Sequence, residues 1–184
     1  MNMRKLKEIV VASGNPDKIK EIRRILGLQA KPASVPDVQE TGKSYKENAI
    51  LKAIHAARLT GKPALGEDSG IEVKAIGGPG IYSKRWARSD KERINKVLRL
   101  LRGKRDRSAS YVSAVALAFP DGRVITAQGT VRGKIVPPKG NKGFGYDPIF
   151  YYHPKRKTFG QMSSEEKDSV SHRGRALRKL KTLI

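Results

Sequence analysis

Residues 6–27 read LKEIVVASGNPDKIKEIRRILG, and this stretch decides the fold class. The apolar run Ile9-Val10-Val11 predicts a buried strand over Leu6–Ala12. Ser13-Gly14-Asn15-Pro16 then supplies a tight turn, an N-cap for the free N–H groups of a helix, and a proline at the first helical position. Behind it Ile19, Ile22, Ile25 and Leu26 recur at helical spacing, and Gly27 stops the helix. The unit is strand, turn, helix, with small residues where the chain changes direction.

The same alternation continues outward. Ser44-Tyr45-Lys46-Glu47 reads as a capping box opening a second helix, whose Ala49, Ala53 and Ala57 allow a close approach to whatever it packs against. Ala64-Leu65 predicts a short strand leading into Gly66-Glu67-Asp68-Ser69-Gly70, and Ile71-Glu72-Val73 alternates like a half-exposed strand. A further capping box, Ser89-Asp90-Lys91-Glu92, starts a helix with Ile94, Val97, Leu98 and Leu101 inward and Gly103 at its end. From Ser108 to Val136 the period becomes two, with Pro120-Asp121-Gly122 as a hairpin turn. Residues 137–147 read as a loop, Ile149–Tyr152 as a strand, and a last helix runs from about Ser171 through Ala176, Leu177, Leu180 and Leu183. Strands alternating with helices early and pairing as a hairpin later predict an α/β fold on a mixed sheet. No shift in composition marks a boundary, so residues 1–184 are expected to form a single domain.

Composition removes several chemistries. The chain has no cysteine, which excludes disulfides, thiol nucleophiles and thiolate zinc sites and fits a reducing compartment. Three histidines, His55, His153 and His172, lack zinc-site spacing. The longest apolar run, Ala114–Phe119, is far short of a membrane span, and the N-terminal stretch is too weakly apolar for a signal peptide; a cytoplasmic protein without membrane association is expected. Lysine and arginine number 39 against 17 acids, a net charge of +22. Such a charge suits a nucleic-acid-binding surface or else a general basic surface, with a small polyanion as substrate. Only 6% of residues are aromatic, thin for base-stacking platforms, so nucleic acid is expected only as a non-specific contact.

Four segments carry chemistry. Ser13 to Lys18 (Ser13, Gly14, Asn15, Pro16, Asp17, Lys18) opens a helix, where free amides and the helix dipole favour a phosphate and Lys18 adds a mobile cation; the same residues also suit an ordinary capped helix. Glu67 and Asp68, adjacent acids at a strand end beside Ser69 and Gly70, suit a Mg²⁺ ion shared with substrate phosphates, or else an acidic turn. Phe144, Gly145, Tyr146 and Asp147 follow Gly143 in a loop where glycines permit close approach and the two aromatic rings can stack on a flat base, or simply cover the core edge. Lys167, His172 and Arg173 place donors around a helix start, which fits anion recognition or surface capping.

Taken in order, S-G-N-P-D-K, E-T-G-x-S-Y-x-E-N-A, E-D-S-G, P-G-I-Y-S, G-F-G-Y-D-P-I-F and E-E-K-x-x-x-S-H-R-G-x-A-L closely resemble the inosine triphosphate pyrophosphatase family, the noncanonical purine NTP (XTP/dITP) pyrophosphatases. The resemblance runs from Val10 to about Leu180. It implies a two-lobed α/β fold on a long mixed β-sheet with flanking helices, a central substrate cleft and a homodimer. It implies a Mg²⁺-dependent hydrolase that converts ITP, dITP and XTP to the monophosphate and pyrophosphate, sanitising the nucleotide pool. By the same resemblance Asp68 is the proton acceptor, and Glu40, Glu67 and Asp68 are metal ligands. Residues 13–18 would hold the triphosphate, and Lys52 and Ser69 would contact the substrate. Residues 144–147 would hold the purine, and Lys167, His172 and Arg173 would enclose the base and read its 6-oxo edge. The chain departs from many bacterial members in carrying Glu67-Asp68 instead of two aspartates, and its segment from Gly70 to Pro79 is one residue short. The alternatives are a pyrophosphatase for other modified bases or a basic nucleic-acid-binding protein of the same fold.

Overall fold

The computed structural model describes residues 9–27, 30–33 and 38–184. The opening strand–turn–helix is present: β1 (Val10–Ala12) passes through the turn into α1 (Pro16–Leu26), with Pro16 in the first turn and Gly27 closing the helix in the left-handed region. Residues 6–8 of the expected first strand lie outside the described residues. β1 lies parallel both to β2 (Lys31–Pro32) and to β3 (Ala64–Val73), reached through α2 (Tyr45–Thr60). β3 then pairs antiparallel along its whole length with β5 (Ser108–Ala118), and its far end also takes β4 (Gly78–Pro79). β5 turns at Asp121-Gly122 into β6 (Val124–Ile135), followed by β7 (Phe150–Tyr152) and β8 (Lys157–Thr158). Among the described residues the sheet runs β2-β1-β3-β5-β6-β7-β8, with β4 beside it on β3. It is a mixed sheet with flanking helices, as expected.

Helices cover both faces because strand periodicity sends alternate apolar residues to each. On one face α1 and α5 (His172–Thr182) bury Ile19, Ile22, Leu26, Ala176, Leu177 and Leu180 against Val11, Leu65, Val115 and Leu117. On the other, α2 lays Ala49, Ala53, Ala56 and Ala57 on Val10, Ala64, Ala114 and Ala116. A third apolar cluster joins α3 (Asp90–Leu100) to the far half of the sheet through Val97, Leu101, Tyr111, Phe150 and Phe159. Two strand glycines set how closely the helices lie. A Cβ on Gly66 would fall 2.1 Å from Ala49 O on α2, and one on Gly129 would fall 2.3 Å from His172 O on α5. The alanine face of α2 and the absence of side chains at 66 and 129 are therefore one packing solution.

The structure corrects several expectations. Glu67 and Asp68 are not at a strand end: the two short strands expected around them are one continuous β3. Its pairing with β5 in register from Ala64 to Val73 overrides the weak strand propensity of Gly-Glu-Asp-Ser-Gly. The boxes at Ser44 and Ser89 are half-formed, since Glu47 and Glu92 accept from the amides of Lys43 and Arg88, one residue earlier than a capping box requires. The reciprocal box appears instead at Ser163 and Glu166, where it opens the short helix α4 (Ser164–Val170), which was not expected.

Candidate functional site

β1 stops at Ala12, opposite Gly66, whereas β3 runs on to Val73. The edge of β3 from Glu67 to Ile71 is thus left uncovered on that side among the described residues, and a cleft opens there. The start of α1 forms its near wall. Asn15 Oδ1 accepts from the amides of Asp17 (2.9 Å) and Lys18 (3.3 Å), and Ser13 Oγ accepts from the amide of Asn15 (3.2 Å). With these amides satisfied, the pull on an anion comes from the helix dipole and the Lys18 ammonium.

Glu67 and Asp68 point to opposite faces of β3. Glu67, 1% exposed, faces α1 and α5. Ser113 Oγ donates to its Oε1 at 2.8 Å, Arg173 Nη2 lies 3.1 Å from the same atom, and Lys18 Nζ is 2.9 Å from Oε2. Burial alone would raise the Glu67 pKa, but Arg173, Lys18 and Lys52 together hold the carboxyl well below the usual range. Asp68, 5% exposed, faces α2. Asn48 Nδ2 donates to Oδ2 at 3.1 Å and Lys52 Nζ is 3.5 Å from Oδ1. Here burial dominates and raises the carboxyl, aided by the charges of Glu67 and Glu40 and opposed by Lys52 and Lys18. Lys52 also reaches Glu40 Oε1 at 2.5 Å, and Arg85 Nη2 is 3.6 Å from Glu40 Oε2. Glu40 and Asp68 thus converge on one cation. Among the described residues no three histidine, aspartate or glutamate side chains gather as a ready-made metal cluster.

The cleft has two adjoining cavities, of about 430 and 390 Å³, which share Gly14, Asn15, Lys18, Ser69 and Lys84 as common wall. The first holds the charged cluster Glu40, Lys52 and Asp68, with Ser13 and Arg85. The second holds Asp17, Tyr111, Phe144, Lys167, His172 and Arg173. Every residue singled out from sequence lines one or the other except Glu67, which sits behind the wall.

The second cavity is built on a buried chain of alternating charges. Asp147 Oδ2 accepts from the amide of Phe144 at 2.9 Å and pairs with Lys167. Lys167 Nζ reaches Glu21 Oε1 at 2.8 Å, Glu21 Oε2 pairs with Arg173, and Arg173 continues to Glu67 and Ser69 Oγ. A Cβ at Gly143 (φ 74°) would fall 2.1 Å from Asp147 Oδ2, so only glycine fits there. The Phe144 ring lies over Lys167 Nζ at 4.6 Å. Tyr146 is buried and donates to Ser83 O at 2.9 Å, and the amide of Gly145 donates to Asp90 Oδ2 at 2.7 Å, tying this loop to α3. His172 stacks on Tyr111 with centroids 4.4 Å apart. Burial, then the charges of Arg173 and Lys167, drops its pKa well below 6.5, so the imidazole is neutral at pH 7. His172 Nδ1 and Arg173 Nε are both buried without a partner among the described residues.

Residues of this site that had not been singled out include Glu21, Asn48, Ser83, Lys84, Arg85, Asp90, Tyr111 and Ser113. Asn48 stands within the E-N-A stretch already noted. Glu21 carried no local signal, since it is about 100° round the helix from Ile22 and reads as an ordinary charge beside the apolar stripe of α1.

Comparison with known proteins bears on the fold and the family. The Ham1 family description matches residues 9–183. The dITP/XTP pyrophosphatase of Gloeobacter violaceus is 47% identical over 182 residues, covering 94% of this chain and 91% of its own length. That of Thermus thermophilus is 42% identical over 186 residues, covering 94% and 89%. The solved structure of a HAM1 protein from Coxiella burnetii matches with a TM-score of 0.87 at 42% identity, covering 96% of this chain and 97% of the other.

Proposed function

The chain belongs to the Ham1 family, and from that premise we propose that it hydrolyses dITP and XTP, with ITP, to the nucleoside monophosphate and pyrophosphate. The observation that carries this reading is the two-compartment cleft: a charged cavity holding Lys18, Lys52 and Asp68 opens directly into one walled by Phe144, His172 and Arg173. A nucleotide needs that pairing, phosphates in one compartment and a flat base in the other.

Lys18 and Lys52, with the dipole of α1, neutralise the triphosphate. Asp68 holds a water for attack at the α-phosphorus and takes its proton, and pyrophosphate leaves. Burial favours this role, because a carboxylate raised above its ordinary pKa is a stronger base. Glu67 acts from behind, anchoring Lys18 and Arg173. Glu40 and Asp68 facing a single cation fits a hard, oxygen-liganded ion such as Mg²⁺, and these two side chains would hold it. When bound, such an ion would withdraw charge from the phosphoryl oxygens and lower the pKa of a nearby water.

Selection against adenine follows from the unpartnered polar atoms. His172 Nδ1 and Arg173 Nε are buried without partners, and both side chains line the base cavity. A 6-oxo purine offers Arg173 Nε–H an acceptor, whereas adenine offers a donor and leaves it unpaired, at a cost of about 1–3 kcal/mol. A homodimer is part of this proposal, and sedimentation equilibrium checks it. The activity is tested by measuring pyrophosphate release from dITP, XTP, ITP, dUTP and GTP side by side. Hydrolysis of the first three well ahead of the others is the expected pattern; dUTP as the preferred substrate would replace this reading with a pyrimidine-directed one.

A further inference from the structure

All four oxygens of the paired carboxylates at the cleft face protein donors. Glu40 Oε1 has Lys52 at 2.5 Å and Oε2 has Arg85 at 3.6 Å. Asp68 Oδ1 has Lys52 at 3.5 Å, and Oδ2 accepts from Asn48 Nδ2 at 3.1 Å. Lys52 is the shared element. Its ammonium carries three N–H donors and has three acceptors around it: Glu40, Asp68 and the Glu67 carbonyl oxygen at 3.1 Å. Its side chain is only 14% exposed, and it leaves α2 one turn after Asn48, so helix geometry aims both side chains at the same stretch of β3.

We propose that Lys52 is a positioning residue that fills the cation place between Glu40 and Asp68 in the nucleotide-free protein, and that a divalent ion displaces it weakly by itself and readily when a triphosphate offers its ammonium other acceptors. This rests on the proposed function. A divalent ion held by the same two carboxylates would lie against the ammonium, and like charges at such range repel strongly in a site shielded from water. Lys52 has somewhere to go: its flexible four-carbon stem projects into the charged cavity, where Ser13, Asn15 and Lys18 form the opposite wall. Triphosphate oxygens there would replace the three acceptors it gives up. Metal and nucleotide are then coupled, each improving the binding of the other by the same factor. The empty enzyme keeps its carboxylates neutralised by its own side chain and does not sequester free metal.

The test uses Mn²⁺ alone, without nucleotide, read by electron paramagnetic resonance on the intact protein. Wild type is expected to bind weakly, Lys52→Met roughly tenfold more tightly, and Lys52→Arg no more tightly than wild type. Unchanged or weaker binding by a folded Lys52→Met would overturn the proposal. A second measurement needs no variant: acetylation of the Lys52 amine, followed by mass spectrometry, is expected to be slow in the free protein and to accelerate as Mn²⁺ fills the site. A rate indifferent to saturating Mn²⁺ would also overturn it. Neither readout depends on turnover, so a protein that releases no pyrophosphate from dITP or XTP would refute the proposed function and leave these results standing.

Discussion

Glu67 and Asp68 are neighbours in sequence, yet Glu67 meets Arg173 on one face of the sheet and Asp68 meets Lys52 on the other. A strand puts successive side chains on opposite sides, so one dipeptide serves two environments. The Glu67 carboxyl is held low by cations and locked in place; the Asp68 carboxyl is raised and faces the cleft.

Substitutions at the two positions should therefore separate. Glu67→Gln removes a negative charge from the fully buried Arg173, leaving Glu21 as its one carboxylate partner, and should cost about 3 kcal/mol in urea unfolding. Asp68→Asn removes a charge whose burial is unfavourable, so its unfolding midpoint should equal or exceed that of wild type. Equal losses from both would show that the two faces are not distinct.

Acid should weaken the protein in two stages. His172 is kept neutral in the folded state while the unfolded chain protonates near 6.5, so stability begins to fall as pH drops below that value. Glu21 is buried, which by itself raises its pKa, but Arg173 and Lys167 bring it down to about 2. Its contribution is complete above the unfolded value of 4.5 and is lost between there and about 2, amounting to about 3 kcal/mol. Urea midpoints taken from pH 7.5 to 3 should show both, and His172→Phe should flatten the first stage while leaving the second.

Gly129 tests whether α5 is set by the sheet beneath it. The Cβ of Gly129→Ala would meet the backbone of His172 and Ala176, so the start of α5 must shift. A loss of about 1–3 kcal/mol is expected. Because His172 and Arg173 ride on that first turn, the KM for dITP should rise more than kcat falls. An unaltered melting temperature would contradict this packing.

The course of the chain was legible wherever local chemistry decides it. Asn15, Pro16 and Gly27 mark the ends of α1, and Asp121-Gly122 marks the hairpin between β5 and β6. Many cleft residues were legible too, but only once six weak motifs were read together, because Asp68 or His172 alone is compatible with an ordinary turn or cap. Tertiary structure decided the remainder. Strand propensity gives no hint that residues 66–70 are mid-strand, since their partner Ala114 and its neighbours are some 45 residues away. A helix as short as α4 leaves too few turns for periodicity to show, although Ser163 and Glu166 carried its cap. Glu21 reads as a solvent-facing charge on a basic helix, and only the folded chain brings Lys167 and Arg173 onto it.

The role of Asp68 is tested most directly by steady-state pyrophosphate release from dITP by wild type and Asp68→Asn, with urea unfolding to confirm that the variant is folded. Removing a general base should lower kcat by about 10²- to 10⁴-fold while KM changes by only a few fold. A folded Asp68→Asn that turns over dITP at the wild-type rate would contradict the proposed chemistry of this cleft.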